Sequence, residues 1–395
     1  MRRLYFKRIF ALLTAVLLAL GGIMIQPVNA NAAGTRIIKE IRVTGHYTEG
    51  TVGKKITASA TYSDRYFYGK ATVENVKLAK LSMLASAATY EKENALELME
   101  SCKFVGRTYK QVKVTKNDND HVSYAIGHKT INGYEVIAVW IRGTNKNYEW
   151  VSNFNLGTGK THAGFSAAET ELAKNVNAYL QKKNLTGAKL KFWITGHSRG
   201  AAVGNLFAKR MTDKYGRTNV FAYTFATPRV STSGKKTGYG NIRNYLNPGD
   251  YITEVAPKAW GYKRYGTDIT FTIASKNKMK TSFKKLTGVS YGGYTKAEKE
   301  DLAAAFLNYA GTGVESYYTK SRQGYSPSDF FMHGLGYILA NDTEGYSNAI
   351  VIAYTSPEAA TIMKKVAYDD GASVKFSQAH CLTGYITWMN AMYPD

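Results

Sequence analysis

Leu190-Lys191-Phe192-Trp193-Ile194-Thr195-Gly196-His197-Ser198-Arg199-Gly200-Ala201-Ala202-Val203-Gly204 passes from an apolar run into a small-residue segment through a single serine. Leu190 to Thr195 reads as a buried strand and Ala201 to Tyr215 as a helix. The pentapeptide between them sets Ser198 on a sharp turn. Gly196, Gly200, Ala201, Ala202 and Gly204 lack side-chain bulk, so strand and helix can approach closely while the Ser198 hydroxyl stands above a sheet. The first N–H groups of that helix point to where negative charge would develop.

The pattern repeats outward from this turn. Val136 to Ile141 is a continuous apolar run that ends at Arg142-Gly143-Thr144, as a buried parallel strand does. Phe165, Leu172, Val176, Tyr179 and Leu180 recur at helical spacing, and Leu185-Thr186-Gly187 ends that helix. Val220 to Phe225 and Ile242 to Leu246 add two more strands. Strands alternating with helices predict an α/β fold: a mostly parallel, doubly wound sheet with helices on both faces, binding its ligand beyond the carboxyl ends of the strands.

Upstream, Leu78, Leu81, Leu84, Ala88, Leu96 and Met99 predict helix from Val76 to Met99, broken near Tyr90. Asn31 to Thr72 is polar and Thr- and Tyr-rich, with a strand around Ile38, Ile41 and Val43; it reads as a wall-facing arm or a packed extension. Lys258 to Gly324 turns Lys-, Gly- and Tyr-rich, as an insertion or cap over the sheet would. Arg2, Arg3, Lys7 and Arg8, the apolar stretch Ile9 to Ile25 and the small residues Val28 to Ala33 form a secretory signal cut near Ala30. The chain thus divides into a signal at 1–30, an N-terminal extension at 31–75, and the α/β domain at 76–395 with its insertion around 258–324.

Charge is one-sided. The 52 basic and 29 acidic residues give +23, and removing the four basic residues of the signal leaves +19. Such a field favours lipid head groups, cell-wall polymers or nucleic acid. No nucleic-acid-binding motif surrounds the cluster Lys276, Lys278, Lys280, Lys284 and Lys285, which reads as a solvated basic loop, and no nucleic-acid partner is expected. Cys102 and Cys381 are the two cysteines, enough for one bridge. No His/Cys/Asp/Glu set has metal-ligand spacing, so neither metal nor other cofactor is expected.

A serine raised in this way needs an activating base, an acid to hold the base, and donors for the oxyanion. Thr144, at the end of the preceding strand, offers its N–H or hydroxyl beside the N–H of Arg199. Asp250, in Asn247-Pro248-Gly249-Asp250 after the fourth strand, is placed for the acid, with Glu254 a poorer substitute. Two histidines follow it, His333 and His380. His380 is the preferred base because an apolar helical segment follows it and can dock it over the sheet; His333 is the alternative. His46, His121, His128, His162 and His197 read as structural.

At these residues the chain resembles the class 3 lipases, which include fungal triacylglycerol lipases and secreted bacterial relatives. Five motifs carry the resemblance in order: Ile141-Arg142-Gly143-Thr144 with Trp150 after it; His162-Ala163-Gly164-Phe165; Gly196-His197-Ser198-Arg199-Gly200; Ala226-Thr227-Pro228-Arg229-Val230; and Asn247-Pro248-Gly249-Asp250-Tyr251-Ile252. The resemblance implies an α/β-hydrolase fold with Ser198 as nucleophile, Asp250 as triad acid, and Thr144 with the Arg199 N–H as oxyanion hole. It also implies a C-terminal histidine followed by a tyrosine, matched by His380 with Tyr385 and rivalled by His333 with Tyr337. The family's lid maps to Asn145–Thr161 or to the Lys258–Gly324 insertion.

The expected function is a secreted serine carboxylic-ester hydrolase, a lipase or esterase, acting on an ester or lipid substrate through an acyl-enzyme. Its basic surface would contact a lipid interface or the cell wall. Alternatives are an esterase for polysaccharide-linked aromatic esters and a non-catalytic surface or cell-wall binding protein on a hydrolase scaffold.

Overall fold

The computed structural model describes residues 37–299 and 375–394, apart from 116, 117, 119, 146–148, 155–158, 255, 257, 259, 260 and 376. The chain divides into two units, Met1–Ile37 and Ile38–Asp395, and the elements below belong to the second. In chain order they are β1 (Ile41–Glu49), β2 (Lys54–Tyr62), α1 (Val76–Ala88), α2 (Lys92–Ser101), β3 (Val105–Lys110), β4 (Tyr124–Ile131), β5 (Tyr134–Ile141), α3 (Glu149–Phe154) and α4 (Ala163–Lys182). They continue with β6 (Leu190–His197), α5 (Arg199–Tyr215), β7 (Val220–Phe225), β8 (Ile242–Leu246), β9 (Thr267–Thr270), α6 (Lys276–Thr287) and α7 (Leu382–Met392).

The strand that leads to Ser198, β6, is the middle of a sheet ordered β3-β4-β5-β6-β7-β8-β9. β3, β4 and β5 pair antiparallel, and every pairing from β5 to β9 is parallel. Both faces are covered, which is why β5 reads as an uninterrupted apolar run. Successive side chains point to opposite faces. Val136, Ala138 and Trp140 enter one core with Trp193, Phe221 and Tyr223, while Ile137, Val139 and Ile141 enter the other with Phe192, Ile194, Val220 and Ala222.

The two faces are covered from different parts of the chain. Strand order follows sequence order, so the right-handed crossovers put α4 and α5 on one face, against Ile137 and Ile194. The opposite face is covered by α1, from before the sheet, and α7, from the end of the chain. α1 is buried on nearly all sides. Its inward serines have partners: Ser82 Oγ accepts from Trp193 Nε1 at 2.8 Å and Ser86 shares a bond with Thr195 at 2.7 Å.

Of the two readings of 31–72, a wall-facing arm or a packed extension, the described part takes the second; the other expectations named below meet a different outcome. Residues 38–62 are a packed hairpin: β1 pairs antiparallel with β2, Tyr47 and Tyr62 are buried, and Tyr47 Oη lies 2.8 Å from Thr383 Oγ1 at the start of α7. Part of the 258–324 segment extends the sheet, because β9 pairs with β8. The basic cluster is no loop but α6, held by Met279, Phe283 and Thr287 at four-residue spacing. Cys102 and Cys381 are both buried and free, so they form no bridge. Among the described residues, no helix is long and apolar enough to cross a membrane. The signal at 1–30 and residues 300–324 of the insertion lie outside the described residues.

Candidate active site

Ser198 has φ 58° and ψ −128°, a left-handed conformation that costs a non-glycine residue about 1–3 kcal/mol. Surrounding contacts leave it no alternative. Its N–H donates to Phe225 O at 3.0 Å and its carbonyl accepts from the N–H of Ala201 and Ala202. A Cβ on Gly196 would lie 2.4 Å from Gly200 O, and one on Gly200 would lie 2.4 Å from Ile141 O. Those two glycines let strand and helix cross at this distance. Arg199 opens α5, so its N–H lies at the helix N-terminus, where backbone donors point out of the helix.

Three side chains from distant parts of the chain converge here. His380 Nε2 lies 2.9 Å from Ser198 Oγ, and His380 Nδ1 lies 2.9 Å from Asp250 Oδ2. With the proton on Nδ1, that nitrogen donates to the carboxylate and Nε2 faces the serine hydroxyl as an acceptor. Asp250 is buried at the end of β8, in a turn closed by Asn247, whose Oδ1 accepts from Gly249 N–H at 3.2 Å. Its Oδ2 also accepts from Tyr385 Oη at 2.7 Å, and its Oδ1 from the N–H of Ile252 at 2.9 Å. Burial and the Asp250 charge push the Tyr385 hydroxyl well above the ordinary tyrosine value, so it remains a donor.

His197, read as structural, holds the end of the short helical stretch that carries His380. Its Nε2 lies 2.8 Å from the His380 carbonyl and its Nδ1 lies 3.0 Å from Tyr90 Oη. Burial, with the neighbouring His380, drives His197 far below the ordinary histidine value and keeps it neutral. Tyr90 stands at the break between α1 and α2, where the sequence marks the break but nothing marks this contact.

On the other side of Ser198, Thr144 and the start of α5 are tied together by Asn153, which sequence reasoning missed. Asn153 Nδ2 donates to Thr144 Oγ1 at 2.9 Å, and Asn153 Oδ1 accepts from Arg199 Nη1 at 3.0 Å. Buried Glu149 accepts from Arg142 Nη2 at 2.6 Å and from Asn145 N–H at 2.5 Å. The described part of the first lid candidate, α3, therefore braces the Thr144 turn from a buried position. Glu254, considered as a substitute acid, is engaged elsewhere: despite its burial, Arg229 and Lys299 hold its carboxyl down to about 2. His333, the alternative base, and Tyr337 lie outside the described residues. Among the described residues no group of three or more His, Cys, Asp or Glu is arranged to hold a metal ion.

His162 caps α4 and donates from Nε2 to the Asn153 carbonyl at 2.9 Å. Burial lowers its pKa to about 3, beneath the ordinary histidine value near 6.5. Below pH 6.5 the unfolded chain binds a proton at this residue and the folded chain does not, so stability falls with pH until about 3. Between pH 6.5 and 5 this one group is expected to remove about 2 kcal/mol. Urea unfolding at the two pH values checks it: His162→Gln, which keeps a donor toward Asn153, should lose less stability across that interval than the parent. An equal loss would assign the acid sensitivity to other groups, His197 first among them.

Residues 130–260 match the family model Lipase (class 3). That interval contains Thr144, Ser198 and Asp250 and stops before His380. A curated relative, the secreted mono- and diacylglycerol lipase 1 of Fusarium solani, is 34% identical over 113 residues, covering 26% of this chain and 32% of its own length. The chain thus spans about a third of the length of that relative. Solved structures that align include a triacylglycerol lipase described as having a serine protease triad at its catalytic centre, with TM-score 0.36, 19% identity and coverage of 50% of this chain and 79% of that one. The lipase of Rhizopus microsporus var. chinensis aligns with TM-score 0.35, 18% identity and coverage of 49% and 73%. Through residues 130–260 the chain is similar to the class 3 lipase family.

Proposed function

We propose that this protein is a serine carboxylic-ester hydrolase, exported from the cell, that acts on acylglycerol or related lipid esters. The observation that carries the reading is the unbroken hydrogen-bonded series from Ser198 Oγ through His380 to Asp250, built on a strained serine at a helix N-terminus. The lipid substrate class rests on the family and on the relative described as a secreted mono- and diacylglycerol lipase. Export rests on that description and on the basic and apolar start of the chain.

In this mechanism His380 Nε2 takes the proton of Ser198 as Oγ attacks the ester carbonyl. Asp250 holds Nδ1–H and stabilises the resulting imidazolium. Negative charge on the former carbonyl oxygen is met by the N–H of Arg199 and by Thr144, which Asn153 holds in place beforehand, so no reorganisation is needed as charge develops. His380 then gives its proton to the departing alcohol. Water, deprotonated by the same nitrogen, attacks the acyl-enzyme, releases the carboxylic acid and returns Ser198 to its hydroxyl form.

The test is covalent labelling with a fluorophosphonate alongside hydrolysis of nitrophenyl esters of increasing acyl length. Stoichiometric labelling mapped to Ser198, with an optimum at medium or long chains, is expected. Folded protein that neither labels nor hydrolyses any ester would overturn the proposal in favour of a binding protein on a hydrolase scaffold.

A further inference from the structure

The proposed mechanism leaves unused a one-sided basic surface among the described residues. From Ile269 to Ala297 the sequence has six lysines and no Asp or Glu, and five of the six lie on α6. Met279, Phe283 and Thr287 fix one side of α6 in the core, and the helix packs against α7. Lys278, Lys280, Lys284 and Lys285 are exposed and Lys276 is half-buried. Among the described residues none of these five pairs with a carboxylate.

The arrangement works against the helix itself. Lys276, Lys280 and Lys284 follow one another at four-residue spacing, where like charges repel. Lys276 and Lys278 stand in the first turn, at the positive end of the helix dipole, and no acidic residue offsets them there. A counter-charge from outside the molecule removes both penalties. Apolar side chains flank the lysines: Ile273, 79% exposed, precedes the helix, and Val289, 40% exposed, follows it. A hydrated polyanion has no use for them, whereas a lipid interface accepts apolar side chains at its acyl boundary while its anionic head groups meet the lysines.

The next residues of the chain join this surface to the site. Gln378, two positions before His380, accepts from Gly292 N–H at 2.5 Å and donates to the Ser290 carbonyl at 3.5 Å. Tyr291 Oη accepts from Asn247 Nδ2 at 3.2 Å, in the turn that carries Asp250.

We propose that α6, with Ile273 and Val289, is the surface by which this protein seats itself on an anionic lipid interface; the inference deepens the lipid-ester reading above and rests on it for its substrate. The experiment measures sedimentation of the full chain with vesicles of phosphatidylcholine alone or mixed equally with phosphatidylglycerol. Binding is expected only to the anionic vesicles, and to be lost when salt shortens the screening length to about 3 Å. K278Q, K280Q, K284Q and K285Q combined should weaken it by about 100-fold or more, with hydrolysis of a soluble short-chain ester unchanged. Ile273→Asn with Val289→Asn should weaken vesicle binding several-fold and leave binding to soluble polyglutamate unaltered. Vesicle binding unchanged in the lysine variant would overturn the proposal. Polyglutamate bound as tightly as vesicles, with no effect of Ile273 and Val289, would overturn it in favour of an anionic polymer. Failure to hydrolyse any ester, with vesicle binding intact, would sink the enzymatic reading and leave this surface standing.

Discussion

Replacing Ser198 by alanine is expected to lower kcat on a soluble nitrophenyl ester by on the order of 10⁵-fold, about 7 kcal/mol of transition-state stabilisation. The attacking oxygen is gone, so only the oxyanion donors and substrate positioning remain. His380→Ala should cost about as much, because a serine hydroxyl without its acceptor at 2.9 Å is a poor nucleophile at neutral pH. The informative measurement is the double variant. Groups that act as one unit are strongly non-additive, so removing both should cost little more than removing either. Losses that multiply would mean that Ser198 and His380 serve separate steps. Full activity in His380→Ala would move the base to another histidine, with His333 the first to examine.

The second large effect concerns stability. Arg142 and Glu149 form an ion pair at 2.6 Å with both side chains 2% exposed. Glu149→Ala leaves the Arg142 guanidinium without that carboxylate and the Asn145 N–H without its acceptor. A loss of about 3–5 kcal/mol in urea unfolding is expected. The pair need not add net stability, because desolvating two charges offsets most of their attraction. Arg142→Met combined with Glu149→Leu should therefore recover most of the loss, while the Thr144 turn loses its brace through Asn145. Recovered stability with a lowered kcat would separate the two consequences. A Glu149→Ala protein as stable as the parent would remove the ion pair from the account of this region.

How far this molecule can be read without coordinates varies element by element. β5 to β8 were legible because strands buried on both faces are continuous apolar runs closed by turn residues. The Ser198 turn was legible because close approach demands glycine at positions 196 and 200. β4 was not, since Lys129 interrupts its apolar pattern; only in three dimensions does its ammonium meet buried Asp64 at 2.6 Å. β9 has four residues with half of them exposed, too weak an alternation to separate from loop. α6 escaped because three inward residues anchor it against a background of lysines.

The sequence by itself determined what depends on neighbours along the chain: the order of β5 to β8 and the helices between them, the serine in its sharp turn, an aspartate just past the end of β8, and the family likeness that residues 130–260 carry. Tertiary structure alone decided what depends on residues far apart in sequence meeting. It brought His380 to Ser198 across 182 positions, set His197 and Tyr90 behind His380, and tied Thr144 to Arg199 through Asn153. A turn or an apolar period is a local energetic preference and is written locally. A hydrogen bond between side chains from distant elements costs chain entropy that only the packed sheet and its two cores repay, so no short stretch of sequence records it.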